Sequence, residues 1–136
     1  MRLMHFLPLV VVLALSGCET TDSARAPLIA DVRSPIVDVP VPAGFSMAST
    51  SSSKMVAESG LRTVNHFYTG QDNFLAVANF YREKLPQKGW VWTGQTQPTG
   101  KQVIEHFAKK AEICTVTVDS RLFDTMIHIE IGPPPQ

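Results

Sequence analysis

Two segments near the C-terminus alternate between apolar and polar side chains with a period of two. Cys114, Val116 and Val118 occupy every second position of residues 112–119, and three isoleucines do so in residues 125–131. This is the period of a β-strand, and such clean alternation is typical of a sheet with one packed face and one solvated face. The chain therefore needs another element to cover the packed face.

An amphipathic helix, predicted between Asp72 and Gly89, can provide that cover. Its apolar residues recur every three or four positions and form one stripe: Phe74, Val77, Ala78, Tyr81 and Leu85. Asp72 is the expected N-cap, and Gly89 can adopt the left-handed turn that finishes a helix. We expect Tyr81 and Leu85 to be buried against the sheet, with Ile127 and Ile129 among the residues below them.

Further strand-like segments complete a single domain. Residues 61–68 precede the helix, residues 90–95 and 103–109 follow it, and residues 54–58 are a candidate for a short first strand. Short turns between successive strands favour antiparallel pairing. The predicted fold class is α+β, with one helix packed on one face of a mostly antiparallel sheet of about four to five strands, in a domain that spans residues 54–132.

The N-terminus has the three parts of a secretory signal. Arg2 is basic, residues 7–15 are predominantly apolar, and small residues follow. The sequence Leu15-Ser16-Gly17-Cys18 resembles the lipobox of bacterial lipoproteins. The resemblance implies that residues 1–17 are removed as a lipoprotein signal peptide and that Cys18 becomes the lipid-bearing first residue. The alternative is an ordinary secretory signal that is cleaved nearby, with Cys18 incidental.

A tether rich in proline and serine is predicted over residues 18–53, beginning at the lipidated cysteine. Its prolines favour the extended polyproline II conformation, which would hold the domain away from the bilayer, while Phe45 and Met47 would dock its end onto the domain. In the lipoproteins that it resembles, an Asp after the lipidated cysteine favours the inner membrane. Because Glu19 stands there, we expect a protein that faces the periplasm of the cell envelope, anchored in the outer membrane.

The charge balance argues against one large class of partner. The chain has 12 basic and 12 acidic residues, and loss of residues 1–17 would remove only Arg2 from this set. Nucleic-acid binding normally requires a basic surface, so we predict no nucleic-acid partner. Attachment to the membrane would come from acyl chains at Cys18 instead.

A second resemblance extends over about residues 39–131. It rests on Val39-Pro40-Val41-Pro42-Ala43-Gly44-Phe45, then Phe80-Tyr81, Leu85-Pro86 and Gly89-Trp90, then a phenylalanine-lysine strand and a cysteine-valine strand. This order is similar to that of small uncharacterised bacterial lipoprotein domains. The resemblance implies the fold and the compartment but transfers no catalytic residue. Residues 133–136 then form a tail.

Three histidines on three predicted strands are the candidate metal ligands. His66, His106 and His128 could bind zinc or copper only if those strands were neighbours and the three rings shared a face. No local metal-binding spacing is present. We therefore expect the three not to converge, and we predict no metal and no cofactor. Cys114 belongs to an apolar stripe, so we expect a core residue rather than a nucleophile.

The other candidates for chemistry are acidic and aromatic. The acidic residues that could pair as general acid and base are Glu105, Glu112, Asp119, Asp124 and Glu130, although any sheet protein offers such pairs. The densest aromatic group, which is either a binding platform or core, consists of Trp90, Trp92, Phe80 and Tyr81. We expect Tyr81 and one tryptophan in the core, with Phe80 partly exposed.

The predicted function is that of a membrane-anchored envelope lipoprotein whose periplasmic domain is a non-catalytic binding or scaffold module. Thr115, Thr117, His128 and Glu130 mark the solvated sheet face where we expect an envelope protein partner to bind. An open edge strand is a second route to a partner, by strand addition. The alternatives are a small metal- or ligand-binding lipoprotein, or a small enzyme with converging ionisable groups in a pocket.

Overall fold

The computed structural model describes residues 26–135, so Cys18 and the predicted signal peptide lie outside the described residues. In this part of the chain one α-helix, α1 (Phe74–Lys84), accompanies seven strands. The strands are β1 (Ser46–Met47), β2 (Ser53–Val56), β3 (Arg62–Gly70), β4 (Val91–Thr99), β5 (Gln102–Lys109), β6 (Glu112–Ser120) and β7 (Thr125–Gly132). No helix within residues 26–135 is long and apolar enough to cross a membrane.

All seven strands form one antiparallel sheet in the order β1-β3-β7-β6-β5-β4, and β2 pairs with the same edge of β3 as β1 does. The prediction of an α+β fold with about four to five strands is therefore wrong, because the molecule is mostly sheet. Strand β1 is absent from the prediction, whereas β2 overlaps the candidate first strand at residues 54–58. Both strands are short and exposed, so no alternation marks them. The end of the segment predicted as a tether thus contributes backbone pairing at a sheet edge.

The first turn of α1 is capped by Asn73. The Asn73 side-chain oxygen accepts hydrogen bonds from the backbone N–H groups of Leu75, at 2.9 Å, and Ala76, at 3.3 Å. These bonds satisfy two of the donors that a helix leaves unpaired at its start. The prediction of Asp72 as the cap is therefore wrong by one residue.

Tyr81 and Leu85 are completely buried, as predicted, but α1 packs mainly against β5 and β6 rather than against β7, the strand that carries the isoleucine stripe. Phe80, expected to be partly exposed, is only 4% exposed. It lies beside Leu28 of the N-terminal segment, which packs on the same core. Trp90 is the buried tryptophan, at 2% exposed, whereas Trp92 is 44% exposed.

Residues 28–45, within the segment predicted as a tether, pack against the sheet and the helix. Four of their apolar side chains belong to the buried core: Ile36, Val39, Val41 and Phe45. A Cβ atom at Gly70 would lie 2.7 Å from the Phe45 ring, so this close approach requires glycine. The packed part of the chain thus begins well before the predicted domain boundary at residue 54.

Candidate binding surface

One face of the sheet is covered by α1 and residues 28–45. In the part of the chain that the structure describes, no helix covers the other face. We call this second side the open face, and it is formed by Asn65, Phe67, His106, Thr115, Thr117, His128 and Glu130. Thr115 lies opposite Glu130 and Thr117 lies opposite His128, so the four residues predicted to share a solvated face are neighbours. Glu130 is exposed and the others are half-buried.

The centre of the open face is a stacked pair of rings. Phe67 and His128 are directly paired on β3 and β7, and their rings lie almost parallel with centroids 4.1 Å apart. His128 Nε2 lies 2.5 Å from the side-chain oxygen of Asn65, which accepts a hydrogen bond from it. The Glu130 carboxylate lies 3.8 Å from the other ring nitrogen. These contacts hold the imidazole in one orientation, which reduces the entropy that binding a partner would cost.

The three candidate metal ligands do not share a face. His66 points to the covered side of the sheet, where it is 5% exposed and lies 2.9 Å from the Tyr68 hydroxyl. His106 and His128 lie on the open face, but β6 stands between their strands. Within residues 26–135 no group of three or more His, Cys, Asp or Glu side chains could hold a metal ion. The arrangement gives no support to a zinc or copper centre built from these histidines.

A buried carboxylate joins α1 to the β4 edge of the covered face. Glu105 is 1% exposed and accepts hydrogen bonds from the Trp92 indole N–H, at 2.7 Å, and from the Arg82 guanidinium, at 2.8 Å. Arg82 also lies over the Trp92 ring, 4.9 Å from its centroid, and donates to the side-chain oxygen of Gln95. Both carboxylate oxygens are occupied, so Glu105 is suited to holding the helix in place rather than to accepting a substrate proton.

The other acidic candidates have separate partners. Glu112 binds Arg62 at 2.5 Å, Asp119 accepts from the Gln102 amide at 2.6 Å, and Asp124 lies 3.4 Å from Arg121. Glu130 lies beside His128. Each of the five candidate carboxylates thus interacts with a different group, and none of these contacts links two of them as an acid–base pair.

An ionic cluster fastens residues 28–45 to the end of the sheet. Arg62 binds Asp38 at 2.6 Å, and the Lys109 ammonium binds the second Asp38 oxygen at 2.9 Å. Burial opposes ionisation of Asp38, but the hydrogen bonds from Arg62 and Lys109 outweigh it and lower the pKa of Asp38 to about 2. Hydrogen bonds to Glu112 and Asp38 raise the pKa of Arg62, so the guanidinium remains charged. Sequence analysis missed this cluster, whose partners are far apart in the chain.

The sulfur of Cys114 is not available for nucleophilic chemistry. Cys114 is 0% exposed, and burial raises the pKa of its thiol to about 12. A reactive cysteine needs the opposite conditions, with some exposure and a lowered pKa. Cys114 therefore serves as a small apolar residue in the core, as its alternation predicts.

A cleft of about 240 Å³ opens between the N-terminal segment and β3. Its wall is mostly apolar and includes Val41, Phe45, Met47 and Tyr68, while Asp31 and Arg33 add polar groups. Phe45 and Met47 are the residues that the sequence predicts for docking. This cleft is a mostly apolar concave surface next to β3, and it could accommodate a small ligand.

Comparison with known proteins supplies the family. A family model described as START domain-like matches residues 46–126, from β1 to the second residue of β7. No curated protein and no solved structure matched the chain. The matched segment contains six complete strands, α1 and the ionic residues Arg62 and Lys109, and it covers more than half of the sequence. The chain belongs to the START domain-like family.

Proposed function

We propose that this protein is a lipid-anchored envelope protein whose folded domain works as a non-catalytic binding module. The open face carries the proposal. On the covered face the core side chains, including Trp90, Tyr81 and Phe107, leave little of their surface exposed. The open face instead presents half-exposed polar and aromatic side chains around the Phe67–His128 stack. Such a mixture of an ordered aromatic centre and hydrogen-bonding neighbours suits a protein partner.

The polar groups of the domain favour binding over catalysis. The candidate carboxylates have separate partners, Glu105 uses both oxygens, and the thiol of Cys114 is buried and protonated. A catalytic site would bring a nucleophile, a base and an orienting group together in one concave place. Within residues 26–135, the candidate carboxylates instead make ion pairs and hydrogen bonds that stabilise the fold.

The anchoring half of the proposal rests on the sequence Leu15-Ser16-Gly17-Cys18. Cys18→Ser should abolish lipidation, so that the protein accumulates unprocessed or soluble, while the unsubstituted protein fractionates with the outer membrane. Mass spectrometry of the N-terminal peptide and density-gradient fractionation measure the two effects. A Cys18→Ser protein that is still cleaved after Gly17 and still carries an acyl chain would contradict the anchoring proposal.

Site-specific photocrosslinking in cells tests the binding half. A photoreactive amino acid at Thr117, in the middle of the open face, should crosslink to one discrete protein. The same amino acid at Glu83, which is exposed on α1, should not. Phe67→Ala should abolish the Thr117 crosslink while the domain remains folded, as checked by circular dichroism. Equal crosslinking from both positions, or none from Thr117, would contradict the choice of this face.

The cleft beside Tyr68 favours a second candidate, a small-ligand-binding protein. The family match is compatible with a ligand-binding fold, and the cleft has a mostly apolar wall next to β3. Native mass spectrometry of the purified protein should then show a co-purified small molecule. Met47→Trp, which narrows the cleft, should displace it, whereas Met55→Trp on the exposed strand β2 should not. If the Met47→Trp protein still binds the small molecule unchanged, this cleft is not the binding site.

A further inference from the structure

Strand β4 is an open edge of the sheet. In the part of the chain that the structure describes, β4 pairs only with β5, and eight of its nine residues are exposed. It has no ionisable side chain, whereas natural edge strands often carry charges that discourage pairing with other chains. Pro98 lacks an N–H and follows a register shift after Thr96, so the available edge lies in the first part of the strand. The edge of β3, by contrast, is occupied by β1 and β2.

An irregularity in β4 directs two of its side chains towards one residue of the helix. A register shift between Trp92 and Gly94 lets Trp92 and Gln95, three positions apart, pair with buried residues and lie on the covered face. Arg82 of α1 lies over the Trp92 ring and donates to the Gln95 side chain. The buried Glu105 carboxylate accepts from both Trp92 and Arg82. The two large side chains are therefore held in place at the edge of the sheet.

Arg82 retains hydrogen-bond donors that residues 26–135 do not use. Its side chain is 41% exposed, and only its Nη2 group donates hydrogen bonds, one of them to Glu105. A guanidinium has five N–H donors, so the three on Nε and Nη1 are available. Arg62 shows what such a group can bind, because its N–H groups reach two carboxylates, those of Asp38 and Glu112. Arg82 binds only one carboxylate within the described chain and can accept a second.

We propose that the β4 edge and Arg82 form a docking site for an extended, acidic segment of a partner protein. The segment adds to β4 as a further strand, and one of its Asp or Glu side chains binds the unused donors of Arg82 beside Trp92. Tryptophan and arginine are the residue types that most often dominate binding energy, and Trp92 is 44% exposed. Because both side chains are already ordered, binding immobilises little that was free.

A second copy of this chain fits the same edge less well. Antiparallel pairing of β4 with itself would put both Arg82 side chains on the same face of the joined sheet. An acidic partner supplies the opposite charge there instead.

Selection of peptides tests this site. Random peptides displayed on phage are selected against the full-length protein, purified in detergent. We expect enrichment of peptides that alternate β-branched residues with polar ones and carry an Asp or Glu at a fixed position. Fluorescence anisotropy then compares the best peptide with a counterpart whose carboxylate is replaced by an amide. The amide peptide should bind roughly tenfold or more weakly, because it loses the charge-assisted hydrogen bonds.

Arg82→Lys tests the same contact from the side of the protein. Lysine keeps the charge but lacks the planar fork, so the acidic peptide should bind several-fold more weakly and the amide peptide should be unaffected. Arg121→Lys is the matched control, because Arg121 is exposed in the turn between β6 and β7 and should leave both affinities unchanged. Circular dichroism checks that both proteins are folded, and the amide peptide tests the contact without any change to the protein.

A photoreactive group in the peptide locates the bound strand. It should crosslink to residues 91–97, as identified by mass spectrometry. Crosslinks to β2 or to the open face, equal binding of the amide peptide, or a selection that enriches no acidic peptide would each overturn the proposal. A β4–β4 dimer in analytical ultracentrifugation that the acidic peptide does not dissociate would overturn it too. Arg82→Lys should not change the crosslink from Thr117 on the open face, so this site and the proposed function can fail independently.

Discussion

Leu85→Ala tests whether the apolar stripe of α1 holds the helix on the sheet. Leu85 is 0% exposed and directly follows the last helical residue, with its N–H donated to the Tyr81 carbonyl at 3.0 Å. Alanine keeps this backbone hydrogen bond and has the highest helix propensity. The substitution therefore removes side-chain packing and little else.

The expected loss is about 2–5 kcal/mol in the free energy of unfolding, because the lost transfer free energy adds to the cost of the cavity that remains. Domains of this size have about 5–15 kcal/mol in total, so one substitution would remove a large share. The melting temperature should fall by on the order of 10 °C or more, since each kcal/mol corresponds to roughly 4–8 °C in a domain of 60–100 residues.

Urea unfolding, followed by the fluorescence of buried Trp90, measures this loss. Leu122→Ala is the matched control, because it deletes the same atoms from a side chain that is 87% exposed. The control should stay within about 0.5 kcal/mol of the unsubstituted protein, which is the usual range for surface changes. If Leu85→Ala also stays within about 0.5 kcal/mol, the stripe is not the packed face and the reasoning fails.

Three further predictions concern polar and thiol groups of the interior. Asp38→Asn should cost about 1–2 kcal/mol near neutral pH, a figure that allows for partial solvent screening of the ion pairs. The pKa of Asp38 in the folded protein is depressed to about 2, so this contribution is present above the pKa of the unfolded carboxyl and is lost as the pH falls towards 2. Urea unfolding should therefore show that the free energies of unfolding of the two proteins converge in acid. Cys114 should resist alkylation in the native protein and react fully in urea, as measured by peptide mass spectrometry; rapid native labelling would contradict its burial. Trp92→Phe should cost about 1–3 kcal/mol because Glu105 loses a hydrogen bond to its charge, and a double-mutant cycle with Glu105→Gln that shows simple additivity would refute this coupling.

The packing of the N-terminal segment links these predictions to the proposed function. Ion pairs and buried apolar residues hold residues 28–45 on the domain, with Asp38 bound to both Arg62 and Lys109. The Trp90 indole N–H adds a hydrogen bond to the Asp38 carbonyl at 3.0 Å. Loss of Asp38 should therefore weaken the attachment of residues 28–45, the segment that would connect the domain to the proposed anchor at Cys18.

Local periodicity by itself determined much of this protein. The alternation of residues 112–119 and 125–131 put Cys114 in the core and placed Thr117 beside His128 on the open face. The helical stripe placed Tyr81 and Leu85 against the sheet. These features can be predicted from the sequence because side-chain direction repeats every two residues in a strand and every three to four in a helix. The pattern of neighbouring residues therefore indicates which face a side chain occupies.

Only the tertiary structure decided the features that depend on distant parts of the chain. Strand β1 joins the edge of β3 through backbone groups, which are alike in every residue and leave no pattern of side chains. His66 faces the core because its strand pairs in register with Ile129, whereas the adjacent aromatic residues Phe67 and Tyr68 hide the alternation in the sequence. Phe80 is buried because a segment about 50 residues earlier in the chain lies beside it. Register and long-range packing set these contacts, and neither is recorded in the spacing of neighbouring residues.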